Sequence, residues 1–193
     1  MQHKKSILTC LMLVSTLFGS AGAMAAEYDI DASHSFVQFR TKHLGYSWLV
    51  GRFDRLSGVF DYAPEQGAAA QSIFVEVDVT SVNSNHAERD KHLRSDDFLN
   101  SDDYPNATFK STSYEGDADG GTMHGELTLH GVTKPLAIEI KKIGEGNDPW
   151  GGYRAGFEGK VQITRADFGM EYNLGPDAVV VELDLYIEGV RRQ

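Results

Sequence analysis

Cysteine is nearly absent: the only one in 193 residues is Cys10, and it lies within the first 25 positions. Those positions read as an export leader, with Lys4 and Lys5 as a positive start, an apolar stretch over residues 7–18 and Ala23-Met24-Ala25 as a small-residue cleavage site. Cys10 sits inside that apolar stretch, badly placed for a lipid anchor, and leaves with the peptide. The mature chain, residues 26–193, is then bound for the periplasm without a disulfide of its own. Its core must suffice for stability. Basic clusters are also missing, the densest being the pair Lys141-Lys142. Loss of Lys4 and Lys5 takes the basic residues from 18 to 16 against 28 acidic ones, so the net charge moves from -10 to -12. Phosphate backbones repel such a surface, which argues against nucleic acid as a partner. Long hydrophobic runs are lacking too. The leader's apolar stretch falls short of the roughly 20 residues that a spanning helix needs, and no later segment comes closer.

What the chain does have is period-two alternation. Ile73, Val75, Val77 and Val79 alternate with Phe74, Glu76, Asp78 and Thr80, the pattern of a half-buried strand. Met123, Gly125, Leu127 and Leu129 repeat it, followed by Leu136, Ile138 and Ile140 after the turn Gly131-Val132-Thr133-Lys134-Pro135. Two further runs hold Phe157, Val161 and Ile163, then Val179, Val181, Leu183, Leu185 and Ile187. Residues 35–42, 57–62 and 108–114 complete eight strands. Residues 85–93 break the rule, since they are rich in helix formers and open on an Asn-x-x-Glu capping pattern. Turn-rich segments over 64–70, 115–121 and 144–152 separate strands, and no shift in composition marks a second domain. Eight strands with one apolar face each hide that face and both edges by closing. The expected fold is all-β: an eight-stranded antiparallel barrel with one or two short helices. Glu76, Asp78, Glu126, Glu139, Glu158, Glu182 and Asp184 on the outward face make it a barrel with a polar outside and an apolar inside, not a lipid-facing one.

Several motifs carry a family resemblance. They are Asn85-His86-Ala87-Glu88-Arg89-Asp90-Lys91-His92-Leu93-Arg94-Ser95, Asp97-Phe98-Leu99, and Tyr104-Pro105-x-Ala107-Thr108-Phe109. His43-Leu44-Gly45-Tyr46-Ser47-Trp48, Gly125-Glu126-Leu127-Thr128-Leu129 and Asp148-Pro149-Trp150-Gly151-Gly152 add to them. In this order, across essentially the whole mature chain, they resemble the YceI family. The resemblance implies a periplasmic, lipocalin-like barrel that binds a long amphiphile, a polyisoprenoid or isoprenoid quinone, in its interior. It implies no enzymatic activity and no cofactor, and leaves pairing of the chain with itself open.

The inward strand faces then supply the expected ligand lining: Phe39, Phe60, Val75, Val77, Phe109, Leu127, Leu129, Ile138, Phe157, Val161, Val181, Leu183 and Leu185. The alternative is that they simply fill the barrel. Gly125 and Gly159 on the same faces favour a cavity, because they reduce the filling. Tyr46 and Trp48, in a glycine-flanked segment, suit a portal where apolar pocket meets wet headgroup. Arg40, Arg52, Arg55, Arg89 and Arg94 are the candidates for a headgroup, although Asp54, Asp90 and Asp96 offer ordinary ion-pair partners. Arg40 stands out because it lies in a strand, where alternation sets it opposite Phe39 and both face inward only with a bulge. A competing reading is a metal-assisted enzyme built on His86, Glu88, Asp90 and His92. Its spacing lacks the His-Glu-x-x-His pattern of zinc proteases, and no metal site is expected. A ligand-free interaction protein with a packed barrel is the third.

Overall fold

The computed structural model describes residues 25–63 and 71–193. The leader, apart from Ala25, and the turn-rich segment 64–70 lie outside the described residues.

Eleven strands form one antiparallel sheet: β1 Ala26–Ile30, β2 Phe36–His43, β3 Ser47–Phe53, β4 Leu56–Tyr62, β5 Ser72–Asp78, β6 Val82–Asn83, β7 Asn106–Gly116, β8 Gly120–Leu129, β9 Val132–Asn147, β10 Tyr153–Thr164 and β11 Val180–Arg191. Their pairings reduce eleven segments to eight positions. β1 and β2 both pair with β11, β1 at Gly189–Arg191 and β2 at Glu182–Tyr186, so they follow one another along the same neighbour. β4 and β3 pair with β1 and β2 in turn, and β5 and β6 with β4 and β3. Three interrupted strands and the five continuous strands β7 to β11 therefore close a ring of eight, as the alternation required. The expected strand over 35–42 is the second half of the first interrupted strand, and β1 and β3 are segments the sequence reading did not include.

The register explains the faces. Phe157, Gly159, Val161 and Ile163 of β10 stand opposite Ile187, Leu185, Leu183 and Val181 of β11, so period-two side chains meet on the inside. Tyr28, Phe60, Tyr62 and Phe157 pack at the end where β1 begins and β11 finishes, Tyr28 stacked on Phe60 at 4.8 Å and Tyr62 edge-on to Phe157 at 5.1 Å. The opposite end carries the β2–β3 hairpin, one helix, and the segment 165–179.

That helix, α1, spans Ala87–Arg94. It starts one residue later than its capping pattern implied. Asn85 takes a left-handed φ of 62°, and His86 is the cap, its ring accepting from the Arg89 amide at 3.2 Å. Asp90 is buried and accepts from the Ser84 amide and hydroxyl, at 2.7 and 2.5 Å, which ties the helix to the chain leaving β6. Among the described residues, no helix is long and apolar enough to cross a membrane.

Candidate functional site

The ring encloses an apolar cavity of about 260 Å³, near the lower end of the roughly 300–1,000 Å³ of pockets that hold drug-sized ligands. All thirteen residues expected on the inward faces line it: Phe39, Phe60, Val75, Val77, Phe109, Leu127, Leu129, Ile138, Phe157, Val161, Val181, Leu183 and Leu185. The other three expected site residues lie elsewhere. Arg40 points outward, because strand alternation sends it opposite to Phe39, and its guanidinium pairs with Glu182 at 2.5 Å. Trp48 belongs to β3 and not to a loop, and it too faces outward, under the Lys42 ammonium at 3.9 Å and the Arg40 guanidinium at 4.7 Å. Tyr46 stands in the hairpin turn, 87% exposed. Leu49 and Thr41, the inward neighbours of these residues, are what the hairpin contributes to the lining. Other basic candidates are spent outside: Arg52 pairs with Asp54, Arg55 with Asp78, and Arg89 donates to the Ser84 hydroxyl and carbonyl.

The two inward glycines behave differently. A side chain at Gly125 would run into the Phe109 ring, so that space is filled from across the sheet. Gly159 faces only side-chain tips: a Cβ there would lie 3.1 Å from Ile140 Cδ1, 3.2 Å from Ile138 Cγ2 and 3.4 Å from Leu185 Cδ1. Here the missing side chain does widen the cavity.

Three features escaped the alternation pattern. The first is the polar cap beneath the aromatic floor. β9 carries one extra residue, Ile143, where the register slips between Gly156 and Phe157. Lys142, just before it, keeps the inward phase of Ile138 and Ile140 and stands opposite Phe157, and the bulge turns Glu145 to face Ala155. Glu145 accepts from the Tyr62 hydroxyl at 3.3 Å, the Tyr153 hydroxyl at 3.2 Å and Lys142 at 3.2 Å. Burial opposes the charge on Lys142, yet its hydrogen bonds to Glu145 and Tyr62 carry its pKa above the ordinary range, while burial holds the Tyr62 hydroxyl neutral beyond its usual range. The second is Arg165, buried at the hairpin end of the cavity. It donates to the carbonyls of Ala178 (2.7 Å), Met170 (3.3 Å) and Tyr172 (3.1 Å), and desolvation lowers its pKa. The third is Gln71, inward at the start of β5, whose buried Nε2 has no hydrogen-bond partner among the described residues. A bound molecule with an acceptor oxygen would satisfy it.

The residues of the enzymatic alternative do not converge. His86 caps α1, Asp90 holds Ser84, and His92 meets Asp97 at 2.9 Å while stacking edge-on against Phe98 and Tyr172. A cluster with metal-like spacing does occur at Asp31, His34 and Glu188. The Arg154 guanidinium sits in it, 2.7 Å from Asp31 and 2.5 Å from Glu188, and already supplies a cation to both carboxylates.

The fold and its interior define a class, that of closed antiparallel β-barrels around an apolar cavity. Within that class the chain belongs to the YceI family, whose YceI-like domain matches residues 28–189. A UPF0312 protein of Pseudomonas paraeruginosa is 51% identical over 190 residues, covering 97% of this chain and 99% of its own. Protein YceI of Escherichia coli O157:H7 is 50% identical over 192 residues, covering 98% and 100%. Among solved structures, Burkholderia cenocepacia BcnA superposes with a TM-score of 0.74 at 21% identity, over 83% of this chain and 99% of that one. A polyisoprenoid binding domain from Saccharophagus degradans, implicated in plant cell wall breakdown, superposes with a TM-score of 0.65 at 21% identity, over 87% and 99%.

Proposed function

We propose that this protein binds a long isoprenoid lipid, a polyprenyl chain or an isoprenoid quinone, inside its barrel, and that it stores or ferries that lipid through the periplasm after export by its leader. The observation that carries the reading is the cavity, whose lining is almost wholly aliphatic and aromatic. Each methylene moved from water into such a lining contributes about 0.8 kcal/mol. A chain of about a dozen carbons thus offsets much of an association cost of roughly 4 to 15 kcal/mol. The family, and a structural relative that binds polyisoprenoids, support the same class of ligand. Gln71, whose amide has no partner among the described residues, offers it to a headgroup oxygen.

The test is organic extraction and mass spectrometry of protein purified from a bacterial periplasm, followed by titration of delipidated protein with a prenyl quinone. A prenyl lipid in the extract and saturable uptake are expected. Leu127→Asp and Leu183→Asp should abolish uptake, because each buries a charge in the lining, while Glu126→Gln on the outer face should leave it intact. Repeated preparations without prenyl lipid, and no uptake, would sink the reading.

A further inference from the structure

The β2–β3 hairpin has an outer side that the cavity does not use. Between Asp31 and Asp54 the chain places none of its 28 acidic residues, while Arg40, Lys42, His43 and Arg52 all fall on the hairpin. On the outer face and tip, Leu44, Tyr46, Trp48 and Val50 are exposed, and Val180 of the adjoining β11 extends the patch. From Ser47 to Gly51, β3 pairs with β2 alone, so the hairpin stands at the margin of the barrel wall. Arg40 and Arg52 are paired with Glu182 and Asp54, and the Asp177 carboxylate lies beside Gly45. Lys42 is the cation of this face without a carboxylate partner among the described residues, and its ammonium rests over the Trp48 ring.

We propose that this hairpin docks the protein on the surface of an anionic phospholipid bilayer, with Leu44, Tyr46 and Trp48 entering the interface and Lys42 meeting lipid phosphates. Tyrosine and tryptophan favour the headgroup level because each joins an apolar ring to a polar tip. A lysine lays its stem along such rings and keeps its ammonium at the phosphates. The acidic remainder of the surface opposes approach at long range, but salt screens charges beyond about 8–10 Å, so the local composition decides once contact is made. The inference rests on the lipid-carrier reading, which explains why the docking face belongs here: Thr41 and Leu49, on the other side of the same two strands, line the cavity. A bilayer held against the hairpin lies next to that end of the cavity.

The chain's two tryptophans allow a direct test. Trp48 is on the hairpin and Trp150 is in the turn between β9 and β10, at the opposite end of the barrel. Full-length mature protein is mixed with vesicles of phosphatidylethanolamine and phosphatidylglycerol that contain no isoprenoid, so the outcome does not depend on what the cavity binds. In a Trp150→Phe variant, emission from Trp48 should shift to the blue and be quenched by brominated lipid. In a Trp48→Phe variant, emission from Trp150 should do neither. Co-sedimentation should be lost in Tyr46→Ser/Trp48→Ser, weakened in Lys42→Glu, and weaker for vesicles of phosphatidylcholine alone. Prenyl quinone uptake in solution should survive in all of these, which shows that the barrel is intact. Wild-type protein that stays off anionic vesicles, or hairpin variants that bind as well as wild type, would overturn the proposal. Vesicle binding without quinone uptake would leave the docking face standing and remove the carrier reading.

Discussion

At the scale of single residues, the interior is set by which glycines are covered. Gly51, Gly125 and Gly189 each lie beneath an aromatic ring, those of Phe39, Phe109 and Phe60, so the strand without a side chain makes room for a large one from a nearby strand. Gly159 has no such ring over it. The two kinds of site should respond in opposite ways to the same change. Gly159→Leu should keep the fold, because the contacting atoms are mobile methyl groups, and should lose prenyl quinone uptake, because the new side chain projects into the cavity. Gly125→Leu should instead destabilise the protein by about 1–3 kcal/mol or more, since both the Phe109 ring and the Lys110 carbonyl stand in its way. Urea denaturation and quinone titration of the two variants separate the effects. Normal uptake in a folded Gly159→Leu protein would mean that the lipid lies elsewhere.

At the scale of elements, the longer strands with one face toward water and the other toward the interior were legible, as in β5, β8, β10 and β11, whereas β1, which alternates over only five residues, was not. β3 was not, because Trp48 and Val50 are apolar on the outer face while Leu49 and Phe53 are apolar on the inner one. A segment apolar on both sides shows no alternation. The bulge at Ile143 was hidden for a related reason: Lys142 keeps the inward phase of Ile140 although it is charged, and beyond Ile143 the phase reverses and brings Glu145 inward as well. Thirteen lining residues follow from parity alone, whereas Gln71 and Arg165 depend on where the chain bends back. Arg165 shows what such a residue does for an element. Its guanidinium gathers three carbonyls from Met170, Tyr172 and Ala178 and so folds the β10–β11 connection across the end of the cavity. Hydrogen bonds to a charged group contribute roughly 1.5–3 kcal/mol each, partly offset by the desolvation of the arginine. Arg165→Met should therefore cost about 2–4 kcal/mol in urea denaturation and speed the loss of bound lipid in a competition assay. Unchanged stability and unchanged release would show that the connection holds itself.

At the scale of the whole molecule, a barrel without a disulfide must secure the seam where its two terminal strands meet. That seam is short: Tyr28, Asp29 and Ile30 of β1 pair with Arg191, Val190 and Gly189 of β11. Side-chain ion pairs extend it. Arg192 binds Glu27 and Asp29, and Arg154 joins Asp31 at the β1–β2 bend, Glu188 on β11 and Asp148 in the β9–β10 turn. The Ser33 hydroxyl and then Arg154 hold the Asp31 carboxyl far below the ordinary aspartate value of 3.8. Arg192 lowers Asp29, and the Gly152 amide followed by Arg154 lowers Asp148. In the unfolded chain these groups take up protons near their ordinary value, while in the folded barrel they do so only at lower pH. Their contribution is thus present above about pH 4 and is lost as the pH falls through the depressed folded values. Urea denaturation across a pH series should show stability falling as the solution is acidified below that point. Arg154→Met should be less stable than wild type at neutral pH, and the difference should shrink in acid, where the carboxylates it leaves unpaired become protonated. A constant offset between the two proteins at every pH would mean that Arg154 acts through packing alone, and that the seam is held by its backbone pairing.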